Sequence, residues 1–195
     1  WGAQALTNPT PLTIEDAATR YLALDQSGPL ASSGTIRLAG HSFGALVAFE
    51  TAPQRRAKGQ PVECVLVLDN VAPSIADPAS AADRDDAGWL RHIALRIAKL
   101  YGLPLEMSPD DAAGPDGATH LIERLRAAGA LPQDMRVDQF ARYVDVYKAN
   151  ARAAATYRPP VVPIDVPIVL CRAAETDHQL ELPSIAGDDS LGWQS

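Results

Sequence analysis

Gly40-His41-Ser42-Phe43-Gly44 constrains the local shape of this chain more tightly than any other stretch. Ahead of it, Thr35-Ile36-Arg37-Leu38-Ala39 is a short β-prone run; behind it, Ala45-Leu46-Val47-Ala48-Phe49-Glu50 reads as the opening turns of an apolar helix. The pattern is strand, tight turn, helix. In such a turn the serine backbone is strained, and glycines two residues to either side leave room for strand and helix to pack closely. The Ser42 hydroxyl is pushed out where a base can reach it, which makes Ser42 a candidate nucleophile.

A chain of 195 residues with 47% hydrophobic residues has enough apolar material for one sizeable core. Its formal net charge of -7 argues against nucleic acid as a partner. No apolar run approaches the roughly 20 residues of a membrane helix, so no membrane partner is predicted either. Cys64 and Cys171 each sit inside an apolar β-like run and read as small buried hydrophobes, in keeping with a reducing cytoplasmic location. No pair of His, Cys or acidic residues has metal-ligand spacing on a recognisable element, so no metal is predicted; no resident cofactor is expected in this domain either. Asp83, Asp85 and Asp86, and Asp188 with Asp189, read as solvated faces or helix starts. The sequence opens at Trp1 without methionine and stops after Gly192-Trp193-Gln194-Ser195, and both ends of the domain are expected to be missing.

Thr13 with Asp16 forms a capping box for a helix to about Gln26, with Ile14, Ala17, Ala18, Tyr21 and Leu22 on one face. The helix after the turn should run to about Lys58, where Gly59 stops it, and Pro53 should kink or divide it. Val62 to Leu68 is an almost unbroken apolar run, the mark of a parallel strand buried on both faces. About a hundred residues then precede the next strand, Val166 to Cys171, far more than a simple crossover requires. Helices are predicted near 84–101, 118–128 and 138–156, with apolar stripes at Trp89, Ile93, Ile97 and Leu100 and at Phe140, Tyr143, Val144 and Tyr147. These stripes are extra core or a helical lid; insertion after a strand's C-terminal end favours the lid. The class is α/β, a single domain over 1–195: a core at 1–76 and 158–195, mostly parallel sheet flanked by helices, and a helical lid at about 77–157.

A serine hydroxyl needs a base to take its proton and a carboxylate to orient that base. Asp69 ends the strand that follows the Ser42 helix, which places it at the same rim of the sheet. Asp69-Asn70 is also good turn chemistry, so a cap at the strand exit is its alternative role. The base position is harder to fill. His41 adjoins Ser42 and should point away from the hydroxyl's partner as a structural packing or hydrogen-bonding residue; His92 and His120 lie on helices of the insert as solvated or packing residues. His178 satisfies the chain order Ser, Asp, His but follows the last strand one strand early, with an ordinary loop histidine as its alternative. The base is therefore expected beyond Ser195. One oxyanion donor is expected from the Phe43 backbone, and the second is not in the chain.

In "LAGHSFGALVAFETA", "GQPVECVLVLDNVAP", "VPIVLCRAAET" and the closing "DDSLGW" the sequence resembles the terminal, type I thioesterase domains of nonribosomal peptide synthetases, which have the α/β-hydrolase fold. The likeness spans most of the chain, including the 27-residue step from Ser42 to Asp69 and the lid-sized insert; Pro53 departs from it. It implies that Ser42 is acylated, that Asp69 is the triad acid and Phe43 a backbone donor, and that the family histidine has no matching position here. Trp1-Gly2-Ala3-Gln4 looks like the end of an earlier strand. The implied substrate is a peptidyl thioester on the phosphopantetheine of a carrier-protein domain, in cis upstream. The peptide would pass to Ser42 and leave by hydrolysis or ring closure, in secondary metabolism such as antibiotic biosynthesis. Alternatives are a discrete editing (type II) thioesterase, a polyketide-releasing one, a general lipase or esterase, or a catalytically dead carrier-binding module.

Overall fold

The computed structural model describes residues 13–24, 34–73, 84–104, 106, 108–112, 114, 116–159, 165–174 and 187–194. Three of the apolar runs become strands β1 (Ile36–His41), β2 (Val62–Leu68) and β3 (Ile168–Cys171). They pair in parallel in the order β1-β2-β3. Helices α1 (Ile14–Leu24) and α2 (Phe43–Ala57) complete this part of the chain. Ala45, Ala48 and Ala52 recur along one stripe of α2 and pack on Leu38, Val65 and Val67. Successive strand residues face opposite sides, so α2 closes only one face of β2: Val65 and Val67 are buried, whereas Cys64 and Leu66 are half-buried and Leu68 is exposed. The expected burial of this strand on both faces therefore does not hold among the described residues.

The outer side of α2 receives α1. Ile14, Ala17 and Ala18 pack on Leu46, Val47 and Phe49, together with Ala153 and Tyr157. Thr13 begins α1 as expected, its Oγ1 accepting the Asp16 N–H at 3.0 Å. Pro53 does not divide α2. A proline removes only its own N–H from the ladder, and the turn beyond it is anchored by the fully buried Arg55. That guanidinium donates to the Gly34 carbonyl at 3.0 Å and to Gln60 Oε1 at 3.3 Å. Gly59, at φ 72, takes the left-handed conformation that ends the helix.

The chain forms two compact units. The sheet-bearing unit holds the described residues 13–73 and 151–194, and the helical unit holds 84–150. In the helical unit α3 (Asp86–Leu100), a short 3-10 turn (Pro109–Ala112), α4 (Gly117–Ala127) and the first part of α5 (Val137–Thr156) bury Ile93, Leu121, Ile122, Leu125, Phe140 and Val144 together. Asp85 starts α3, its side chain accepting the Gly88 N–H at 2.8 Å. Leu100, expected in the apolar stripe, is instead 79% exposed, and Tyr143 is also exposed. Leu100, the last residue of α3, and Tyr143, within α5, line with Ile97, Leu131 and Met135 an open apolar cavity of about 340 Å³.

His92 packs within this unit, edge-on to Trp89 with ring centroids 5.9 Å apart and 6.0 Å from Tyr147. Burial, then the charges of Arg84 and Arg96, push its pKa down to about 4. A histidine whose folded pKa lies below its unfolded value, about 6.5, stabilises the fold above that value and loses the contribution as pH falls toward 4. The melting temperature of the helical unit is expected to drop between pH 6.5 and 4, and His92→Phe, keeping the ring contacts, to flatten that drop. Thermal melts across pH check this; an equal drop in the variant refutes it.

Candidate active site

The last register partners of β1 and β2 are His41 and Leu68. The next residue on each strand is Ser42 and Asp69, so the hydroxyl and the carboxylate leave neighbouring strands at one rim of the sheet. The 27-residue step between them is the register offset itself, as in Arg37 with Cys64. Both residues turn into positive φ at that point, 53° for Ser42 and 47° for Asp69. Such conformations cost about 1–3 kcal/mol each for a residue with a side chain.

Ser42 precedes α2 and its carbonyl accepts the Ala45 N–H at 2.9 Å, yet its side chain makes no capping bond and is exposed. The turn is tight enough that a Cβ on Gly40 would overlap the Gly44 carbonyl and the Ala45 nitrogen. The crowding is one-sided: a Cβ on Gly44 would meet nothing within 4 Å among the described residues. The expectation that both glycines make room is thus corrected, since Gly44 contributes its backbone and only Gly40 must lack a side chain. Phe43 is the first residue of α2 and half-buried. Its N–H belongs to the first turn, where backbone donors lack intrahelical acceptors and the helix dipole favours negative charge.

Asp69 is exposed and held from β3. Its N–H donates to the Cys171 carbonyl at 2.8 Å, and its Oδ1 accepts the Ala173 N–H at 3.1 Å. The carboxylate thus reaches across to the neighbouring strand's exit rather than closing a turn of its own. Just beyond it along the chain, Trp193 Nε1–H donates to the Asn70 carbonyl at 2.8 Å and Ala72 N–H to the Leu191 carbonyl at 2.9 Å. Cys171, expected to be buried, is exposed because it is the rim residue of β3; Cys64 is half-buried, and both are free thiols.

Of the four histidines, His41 adjoins Ser42 and is exposed, His92 and the exposed His120 belong to the helical unit, and His178 lies outside the described residues, as do Trp1-Gly2-Ala3-Gln4 and Asp83. Among the described residues no His, Cys, Asp or Glu group of three or more could hold a metal ion, and no helix is long and apolar enough to cross a membrane. Asp188 is no solvated face: it accepts the Ser190 N–H and Oγ–H and the Gly192 N–H, and the Ser190 bonds above all hold its carboxyl below the usual range. Asp189 pairs with Arg172. Sequence reasoning missed the Ala173 and Trp193 contacts to the Asp69 exit. A tryptophan in a polar, turn-rich stretch was the available signal, because an indole there needs both a packing surface and a partner for its N–H.

Gly40→Ala is expected to destabilise the protein by about 3 kcal/mol or more, since backbone on both sides must move. Gly44→Ala should stay within about 1 kcal/mol of the parent. Denaturant titration of the two variants checks the asymmetry; equal losses would contradict it.

A family model described as thioesterase domain matches residues 3–194. Among solved structures, holo-AB3403, a four-domain nonribosomal peptide synthetase bound to AMP and glycine, is 31% identical with a TM-score of 0.78. That match covers 97% of this chain and 14% of the synthetase chain. The NocB thioesterase domain in covalent complex with a fluorophosphonate nocardicin G analog is 22% identical, TM-score 0.51, over 85% of this chain and 55% of that one. The Vlm2 thioesterase domain with genetically encoded 2,3-diaminopropionic acid bound with a dodecadepsipeptide is 13% identical, TM-score 0.50, with the same coverages of 85% and 55%. At these identities the last two likenesses are of fold. No curated protein matches the chain.

Proposed function

Because this chain belongs to the thioesterase domain family, we propose that it releases a peptidyl chain from a carrier-protein thioester by way of an ester on Ser42. The fold is of the α/β-hydrolase type, a parallel sheet flanked by helices. The observation that carries the reading is the level exit of Ser42 and Asp69 from adjacent parallel strands.

In this reading Ser42 Oγ gives its proton to a histidine outside the described residues and attacks the thioester carbonyl. Asp69 orients that imidazole and stabilises its charge, while the Phe43 N–H faces the oxyanion. The carrier's phosphopantetheine thiol leaves with the proton held by the histidine. Water, or an amine or hydroxyl of the peptide itself, then attacks the ester, and an internal nucleophile gains a large effective molarity over solvent. The helical unit takes the role of lid, because an acyl ester persists only where bulk water is kept out. The 31% identity with a synthetase of several domains supports a carrier domain in the same polypeptide. The chemistry asks for no resident cofactor or metal, and the partner is neither nucleic acid nor membrane.

In the full-length protein, Ser42→Ala is expected to abolish labelling by a fluorophosphonate and turnover of a peptidyl thioester, with the melting temperature nearly unchanged. Undiminished turnover would remove Ser42 from the mechanism. Absent labelling of the parent with carrier binding retained would identify a docking module. Asp69→Asn should lower kcat by roughly 10²- to 10⁴-fold without a large loss of stability. A near-parental rate would return Asp69 to a capping role.

A further inference from the structure

The segment Gly187–Gln194 is a self-organised turn clamped to the exit of β2. Asp188 gathers the Ser190 N–H at 2.8 Å, the Ser190 hydroxyl at 2.7 Å and the Gly192 N–H at 2.8 Å. Leu191 and Gly192 are both left-handed, at φ 49 and 81. From that turn come two rungs to β2's continuation: Leu191 O to Ala72 N–H and Trp193 Nε1–H to Asn70 O. The indole also lies edge-on to Phe49 of α2, with centroids 5.1 Å apart. It packs against both apolar clusters of the sheet-bearing unit. Trp193 thereby links the helix that follows Ser42 to the residue that follows Asp69.

Asp69 sits at φ 47 with its N–H tied to β3 and its carboxylate to the Ala173 N–H just beyond; the Asn70 carbonyl, one peptide group further on, is where the indole holds the chain as it leaves Asp69. We propose that Trp193 is a positioning residue for Asp69, its indole N–H fixing the Asn70 carbonyl and hence the orientation of the Asp69 carboxylate toward the base. This deepens the proposed mechanism and rests on Asp69 being its acid.

Trp193→Phe keeps a ring against Phe49 and deletes the N–H. In the full-length enzyme it is expected to lower kcat about tenfold, with KM within about twofold, because a carboxylate displaced by a fraction of an ångström orients the base poorly. The acid limb of the kcat/KM profile should move to lower pH, since a misaimed carboxylate stabilises the imidazolium less. In an Asp69→Asn background the same change should cost less than about twofold and leave the limb where it was. An unchanged kcat, or an equal loss in both backgrounds, overturns the positioning role while leaving Asp69 as the acid. A parental rate for Asp69→Asn alone overturns the catalytic reading of Asp69 and this inference with it. If Trp193→Phe does not fold, Asp188→Asn serves in its place: it sets an amide against the Gly192 N–H, and the same losses and the same non-additivity are expected.

Discussion

The register of β1 against β2 is the constraint on which the rest of this site depends. Ile36 pairs with Val62, an offset of 26, but a bulge follows and Arg37 pairs with Cys64, an offset of 27 that then holds to His41 and Leu68. The skipped residue, Glu63, instead meets the Arg37 side chain at 2.7 Å on the surface. Without the bulge the strands would end one residue out of step, and Asp69 would stand a further residue along from Ser42. Because strand side chains alternate, a one-residue slip would also turn Val65 and Val67 from α2. Burial of those valines therefore holds the two exits level.

Strain at the rim is concentrated and then contained. Ser42 and Asp69 both occupy left-handed backbone that ordinary residues avoid. Each is fixed by contacts made elsewhere: the bare Cα of Gly40 admits the Gly44 carbonyl, and β3 receives the Asp69 N–H and carboxylate. The strain survives because α2 and the α2-facing side chains of the strands, Leu38, Val65 and Val67, are buried, so relaxing the rim would disturb that packing.

What could be read from the residues was whatever is written locally. The GxSxG turn, β2, and α3 to α5 within a residue or two all follow from period and punctuation over short windows. What could not be read depends on partners far along the chain. The Ala173 bond to Asp69 spans 104 residues and the Trp193 bond to Asn70 spans 123. The same reason explains the misplaced burials. Leu100 continues the apolar stripe of α3 but extends past its neighbours, and Cys171 continues an apolar run but lies at the rim. Pro53 stays inside an undivided α2, and a propensity rule cannot weigh the buried Arg55 guanidinium two residues later.

Alanine contacts bring α2 close to the sheet without fixing how far it is rotated, since apolar burial is non-directional. Rotation matters because the helix carries the Ser42 turn at its start. The directional bonds lie on its outer side. The buried Glu50 accepts from the Tyr157 hydroxyl at 2.8 Å and from Gln54 Nε2 at 3.0 Å, and Gln54 Nε2 also reaches the Glu15 carbonyl of α1 at 3.1 Å. Burial first, and then the bond to Glu50, raise the Tyr157 pKa, which favours the phenol as a hydrogen-bond donor. A carboxylate on an otherwise apolar helix face is costly to bury unless its partners are in place, which makes one rotation of α2 far better than its neighbours. The Ser42 hydroxyl is therefore aimed from behind: polar bonds on the outer side of α2 set the angle, and the small residues beneath let the helix lie close enough for that angle to matter.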